Sequence, residues 1–463
     1  MFLIFLYHCF LATSCFNENI FSISFFNSTS CFAQNIEFDY LPQNKDSLEK
    51  YVNEVNNKKI KKFGDNYHKK IKENIQERKA VFLNKISDSS FVFNKRITAY
   101  LNTILKEIYF SNPEINKNDF YFFIDKSQLP NAACYGNGIF TVNLGLFKYV
   151  NSDDELAYIL CHEIAHYVLE HNDKSLLNYF ETINSKENKK KIKVLKNQKY
   201  GKRKAYSELI EDLSYNFLMR SQEVEIEADS LGLLLFKNTK FNINASITSL
   251  KNLELSDKLL FNEDPKLKEN FNFQNYPFKD VWIKKDETLF DITKSSDDFI
   301  LDKDSLSSHP SIPLRIEKLN FLINNRTSSI VENTNELNEI KKLVSFVSII
   351  NFIDSNKLDM AFYQCLVMHN QKLIDSKMYA EIMSKLLRRT YELKEKHTFG
   401  RYVSPIYPFS DELYLNDVKQ FLHNLELKNI RKIGLNFCLS YKEIMKQNKE
   451  FKETLNYFSS LNH

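Results

Sequence analysis

Glycine and proline are scarce in this chain, at 8 and 9 of 463 residues, and there is a single Trp. A protein of tight turns and short strands needs both residues, so their scarcity points to a mostly helical fold. An excess of charge of either sign is missing too. A formal net charge of +4 is too small to argue for a nucleic-acid partner. Beyond residue 33 there is no run of 18 or more apolar residues. The longest candidate, Leu343–Ile353, is too short for a helix to span a bilayer. No repeat period emerges, and the Gly, Pro and Trp marks of a tetratricopeptide are lacking. What remains is a globular composition, 43% hydrophobic and 26% charged, with length for two or three domains and a substantial core.

Positive charge is also absent from the start of the chain, where no Lys or Arg precedes Lys45. The opening MFLIFLYHCFLATSCF is almost wholly apolar, and IFSISFFNSTSCFA follows it. Residues 1–33 therefore read as a signal peptide or N-terminal anchor, with small residues Cys31 and Ala33 ahead of a cut before Gln34. Lipid attachment at Cys15 or Cys31 is the alternative. Either route places the chain outside the cytoplasm, in the periplasm or cell envelope, with membrane association through the N-terminus. Four cysteines remain after such a leader: Cys134, Cys161, Cys365 and Cys438. Their spacing does not choose among the three possible pairings. Cys161 adjoins His162 and reads as a small buried hydrophobe rather than a ligand.

Along the chain, residues 44–110 have amphipathic helical spacing. Strand-like runs follow at Asp119–Asp125 and Ile139–Leu146, separated by a loop with Pro130, Gly136 and Gly138. A helical pattern begins at Asp153 and another covers 206–236. Between them, residues 186–204 are strongly basic. They read as a solvated loop or frayed helix; the sharper alternative is a patch that touches lipid head groups or an acidic partner, or that covers a cleft. Residues 240–307 look polar and irregular. From residue 336 helical patterns dominate. Three segments result: the leader 1–33, a domain at 34–325, and a helical C-terminal region at 326–463.

The chemistry concentrates in DDELAYILCHEIAHYVLEH, residues 153–171. On a helix, His162 and His166 are four apart and share one face, so both imidazoles can hold one metal ion. Glu163 sits beside that face, where a carboxylate can act as general base. Leu156, Leu160, Ile164 and Val168 form a stripe that can be buried away from the histidines. A zinc site with two histidines needs a third protein ligand. Glu225 is the best candidate, and Asp229 lies one turn further on the same face.

These blocks together resemble the Ste-type zinc metallopeptidases, peptidase family M forty-eight, over residues 119–320. Leu156-Ala157 and His171 extend the HExxH helix as in that family. Asn131-Ala132, Gly138-Ile139-Phe140-Thr141-Val142 and Gly145-Leu146 match the strand region before it. Ser221–Asp229 matches the acidic block, and His309-Pro310 with Arg315-Ile316 matches a later segment. Gln222 stands where the family often has Arg, and the loop Ala133–Gly138 lacks the usual Pro. The resemblance implies His162, His166 and Glu225 as ligands to one zinc ion, Glu163 as the base, Asp229 as a carboxylate that orients a ligand histidine, and His309 near the active site.

The resulting expectation is an α+β, predominantly helical fold. A gluzincin-type metallopeptidase domain carries a small antiparallel sheet packed on the HExxH helix, and an all-helical C-terminal region follows. The expected activity is zinc-dependent endoproteolysis of envelope proteins in quality control, in the soluble envelope branch of the family. The alternative is a chaperone or scaffold that binds misfolded proteins with little proteolysis. Partners are polypeptide substrates, with further proteins engaged by the C-terminal helices. For substrate, alternation along Ile139–Leu144 turns Ile139, Thr141 and Asn143 towards the cleft if this is an edge strand.

Overall fold

The computed structural model describes residues 42–63, 68–115, 120–197, 202–256, 261, 263–284, 312–323, 335–406 and 413–461, with only the backbone for 68, 196–197, 202–219 and 254–256. The leader at 1–33 and His309 lie outside the described residues. Three helices open the fold: α1 (Lys45–Lys62), α2 (His68–Ser87) and α3 (Lys95–Ser111). Strands β1 (Tyr121–Asp125), β2 (Ala132–Cys134) and β3 (Ile139–Asn143) follow, then α4 (Leu144–Tyr149) and the HExxH helix α5 (Asp153–Val168). Next come α6 (His171–Asn184), α7 (Lys186–Asn197), α8 (Lys202–Lys237), α9 (Ala245–Ser256), the single turn α10 (Leu267–Asn270) and α11 (Ile312–Ile323). The C-terminal helices are α12 (Asn335–Asp354), α13 (Leu358–Asn370), α14 (Ser376–Glu395), α15 (Leu413–Asn424), α16 (Leu427–Tyr441) and α17 (Lys449–Ser460). The basic stretch is thus helical over α7, not a loop.

Side-chain caps start several of these helices. Asn94 accepts from the Arg96 and Ile97 amides at α3, and Ser152 accepts from the Glu155 amide at α5. Asp375 and Asn448 do the same for α14 and α17. At α5 the cap is joined by Asp153, Asp154 and Glu155 in the first turn, where carboxylates favour the positive end of the helix dipole. Leu156, Leu160 and Ile164 are fully buried, as the expected stripe required, whereas Val168 is 47% exposed because the helix ends there.

The sheet has the order β1-β3-β2 and is mixed, not antiparallel as expected. The β2–β3 pair is an antiparallel hairpin closed by Tyr135–Gly138, where Gly136 and Gly138 take positive φ. β1 then pairs parallel to the other edge of β3. The expected edge strand is therefore the middle strand, and its backbone is occupied on both sides. Its second run also stops early, since Leu144 already begins α4.

Strand faces separate two layers. Phe140 and Val142 join the core built on α5, with Leu156, Leu160 and Ile164. Ile139 faces the opposite layer, with Phe123, Phe91, Phe82, Leu48 and Val52 under α1 and α2. Thr141 shares the Ile139 face and is buried, while the Asn143 side chain donates to the Leu129 carbonyl at 3.2 Å. Ile139, Thr141 and Asn143 are thus spent on the sheet's far side and on a loop, which corrects their assignment to the cleft.

Two large cores do not divide at residue 325. Leu337, Ile340, Leu343, Val344 and Val347 of α12 pack with the α5 core, while Phe346 and Ile349 of the same helix enter the C-terminal core. Conversely, Phe261, Phe271, Tyr276 and Trp282 belong with the C-terminal helices. That segment looked polar in sequence, but its aromatics are its anchors. Burying each is worth roughly 1.5–3 kcal/mol before chain entropy is counted. All four cysteines outside the leader are free thiols, and Cys161 lies in the α5 core.

Candidate metal centre

The site forms where α8 crosses α5. Their approach is close because Gly232 faces the HExxH helix: a Cβ there would stand 2.9 Å from His162 Cα and 3.1 Å from its backbone N. Any other residue would wedge the two helices apart. Asp229 and Glu225, one and two turns before Gly232 on the same face, are thereby pressed against His162 and His166.

His162 Nε2 and His166 Nε2 are 3.0 Å apart. Glu225 Oε2 lies 3.5 Å from the first and Oε1 lies 3.4 Å from the second. A tetrahedral ion with ligands at about 2.0–2.1 Å separates its ligand atoms by roughly 3.3–3.4 Å, so these three edges fit one face of such a site. The other ring nitrogens are engaged behind the site. His162 Nδ1 is 3.0 Å from Asp229 Oδ1, and His166 Nδ1 is 2.9 Å from His171 Nδ1. His171 Nε2 in turn meets Glu227 Oε2 at 3.2 Å. Both Nε2 atoms are therefore directed at one point, where a cation satisfies them together.

The charges agree with that geometry. Burial works against a charged His162, but its hydrogen bonds to Asp229 and Glu225 prevail and push it up to about 10. Burial, reinforced by the charge on His162, pushes His166 down to about 3. The two rings shift in opposite directions because a positive charge on one disfavours a second beside it, and a metal ion at the same point would supply that charge instead.

Asp229 is the hub behind the ligands. Arg315 of α11 donates from Nε to Oδ2 and from Nη2 to Oδ1, both at 2.7 Å, and the Tyr158 hydroxyl donates to Oδ1 at 3.1 Å. Arg315 Nη1 also lies 3.7 Å from Glu225 Oε2. Arg315 and Asp229 are both buried, and against burial the Arg315 and His162 contacts hold the Asp229 carboxyl at about 2. Arg315 was visible in the sequence only within the His309–Ile316 block. Its role depends on α11 folding back over α8, which no local pattern shows.

Glu163 is half-buried and faces β2: burial, aided by the Glu163 charge, drives up the pKa of the Cys134 thiol in that strand. The start of α6 holds the site's surroundings through three consecutive residues. His171 backs His166. Asn172 Nδ2 donates to the Cys134 carbonyl at 2.9 Å. Asp173 binds Lys59 of α1 at 2.8 Å, and Lys59 also donates to the Gly136 carbonyl at 3.3 Å. Glu170 makes the turn into α6 with φ of 57°, a left-handed conformation uncommon for a side chain of this kind. Sequence reasoning missed Asn172, Asp173, Tyr158 and Gly232, because each acts across the chain rather than within a motif.

Of the sequence-predicted residues, His162, His166 and Glu225 converge, Asp229 stands directly behind them, and Glu163 is the half-buried residue next to His162 on α5. Among the described residues, these three are the group of His, Cys, Asp or Glu side chains whose donor atoms approach within 4.8 Å of one another. Cys161 is not part of it.

Comparison with known proteins agrees. Residues 94–322 match the model of Peptidase family M48. A shorter stretch of 85 residues is 26% identical to the Beta-barrel assembly-enhancing protease of Yersinia pestis, covering 18% of this chain and 17% of that protein. The matched family segment contains His162, Glu163, His166, His171, Glu225, Asp229 and Arg315. Residues 94–322 of this chain are a Peptidase family M48 domain.

Proposed function

We propose that the protein is a zinc-dependent endopeptidase, with His162, His166 and Glu225 as metal ligands and Glu163 as general base. The observation that carries this reading is the convergence of two imidazoles and one carboxylate on one point beside a second carboxylate. A zinc ion held there supplies Lewis acidity to the attacking water and to the scissile carbonyl. Glu163 takes the proton of the water and returns it to the leaving amine. Asp229, steadied by Arg315 and Tyr158, keeps the His162 ring in its binding orientation, and His171 does the same for His166. The purified protein is expected to contain one zinc ion per chain and to cleave an unfolded protein such as casein until a chelator is added. Glu225→Ala should lose most of the zinc. Tight stoichiometric zinc in Glu225→Ala would remove that residue from the ligand set, and chelator-insensitive cleavage, or none in the zinc-loaded chain, would favour a binding role instead.

The substrate backbone is assigned to β2. In the β2–β3 pair, the Asn143 amide donates to the Asn131 carbonyl and the Tyr135 amide to the Ile139 carbonyl. Alternation then turns the N–H and C=O of Ala132 and the N–H of Cys134 away from β3, towards the open edge beside α5. An extended peptide pairing there is held by its main chain, which suits loose sequence preference. Ala132→Pro removes one outward donor without touching the ladder. It is expected to fold and load zinc yet cleave peptides with KM raised about tenfold, the loss of roughly one hydrogen bond. Unchanged kinetics in a folded variant would place the peptide elsewhere.

Export and quality control of envelope proteins complete the proposal. They rest on the apolar, Lys-free leader and on the similarity to a protease named for barrel assembly. The mature protein is expected to begin at Gln34, and intact-mass measurement of the native protein that found Met1 retained on a cytoplasmic chain would contradict export.

A further inference from the structure

We propose that the outward face of α7 is a docking surface for an anionic phospholipid bilayer. This helix holds six Lys and one Glu, a surplus of five in a chain whose total net charge is +4. Two faces can be told apart. Asn188, Ile192 and Leu195 repeat at helical spacing and turn inward; Asn188 and Leu195 are buried, and the Asn188 side chain donates to the Thr182 carbonyl at 2.7 Å. That stripe fastens α7 between α6 and α8. The opposite side presents Lys186, Lys190 and Lys193, all exposed, with Lys189 and Lys191 at its flanks.

An ordinary solvated helix alternates Glu and Lys at i, i+4 to stabilise itself. Here Lys186 and Lys190, and Lys189 and Lys193, are like-charged pairs at that spacing, and Glu187, the helix's single acidic residue, makes its i, i+4 pair with Lys191 at 2.9 Å. The face is thus held at a cost in self-repulsion that a negatively charged surface removes. Val194 selects among such surfaces. It is 59% exposed and stands one turn from Lys190, at the flank of the charged face between Lys190 and Lys191. An exposed aliphatic side chain beside Lys190, Lys191 and Lys193 gains nothing from a nucleic-acid backbone, which offers phosphate alone, but inserts at the boundary between lipid head groups and acyl chains. Because α7 lies between the two metal-site neighbours α6 and α8, docking brings the centre close to the bilayer surface, where membrane-associated polypeptides are presented.

Binding is read without any peptidase activity, so it fails or stands apart from the catalytic assignment. The full chain is sedimented with vesicles of phosphatidylcholine containing phosphatidylglycerol, and with vesicles of phosphatidylcholine alone. It is expected to partition onto the first far more strongly, with the difference falling as salt rises. The triple variant Lys186→Gln/Lys190→Gln/Lys193→Gln should keep its helical circular dichroism and bind the anionic vesicles roughly a hundred-fold less. Val194→Asn, a single exposed change, should weaken binding by roughly tenfold. Equal partition onto both vesicle types, or a folded triple variant that binds like the native chain, would overturn the proposal. So would tighter, lysine-dependent binding to a DNA duplex than to the anionic vesicles.

Discussion

Glu163→Gln is expected to fold and to bind zinc like the native chain while hydrolysing peptides about 10²–10⁴-fold more slowly, the range that one general base contributes. The amide is nearly isosteric with the carboxylate, and Glu163 is not among the three side chains that converge on the metal point. The substitution therefore removes a proton acceptor and little else. Zinc content by atomic emission and single-substrate kinetics separate the two effects. A folded, zinc-loaded Glu163→Gln with native kcat would take Glu163 out of the reaction. A variant that loses zinc would show instead that Glu163 supports the site's assembly.

Arg315→Met is expected to cost about 3–5 kcal/mol of stability, as removal of one member of a buried ion pair generally does. Its guanidinium makes two 2.7 Å hydrogen bonds to Asp229, and both side chains are almost wholly enclosed. Without it Asp229 is left as a buried carboxylate with only His162 and the Tyr158 hydroxyl as partners. Urea unfolding measures the loss, and the double variant Arg315→Met/Asp229→Asn should regain part of it while binding zinc more weakly, since the His162 ring loses its partner. A destabilisation under about 1 kcal/mol, the level of an exposed pair, would mean that this ion pair is not the hub. The pH dependence has a definite sign. Asp229 is held down at about 2 in the folded chain. Its contribution is therefore fully present above the ordinary carboxylate value of about 4 and is lost as pH falls through about 2. In Arg315→Met that acid-side loss should move to higher pH, where thermal unfolding at a series of pH values detects it.

The metal-binding face was legible because helix periodicity alone sets it. His162 and His166 are neighbours on any helix, as are Glu225 and Asp229, and the N-cap at Ser152 with its acidic first turn makes the first of those helices locally certain. The predominance of helix was equally open to reading, from scarce Gly and Pro and from apolar stripes such as Leu156, Leu160 and Ile164. Local chemistry thus determined which residues could act and on which face of which helix they stand.

Strand order was beyond that reach. Alternation along Ile139–Asn143 shows that two faces exist, but it does not show which face meets α5 or whether the strand lies at an edge. Both depend on where β1 pairs, and β1 is joined to its partner across more than a dozen residues of intervening chain. Parallel pairing placed β3 in the middle, left β2 at the edge, and sent Ile139 and Thr141 towards α1 and α2. The brace on Asp229 was decided in the same way: Arg315 is 86 residues from Asp229, and only the packing of α11 on α8 brings them to 2.7 Å. So was the closeness of α5 and α8, which rests on one missing side chain at Gly232. Periodicity along one segment carries the donor types and their faces. The contacts that aim those donors at a single point come from packing between segments distant in sequence, and this packing is where tertiary structure had the decision.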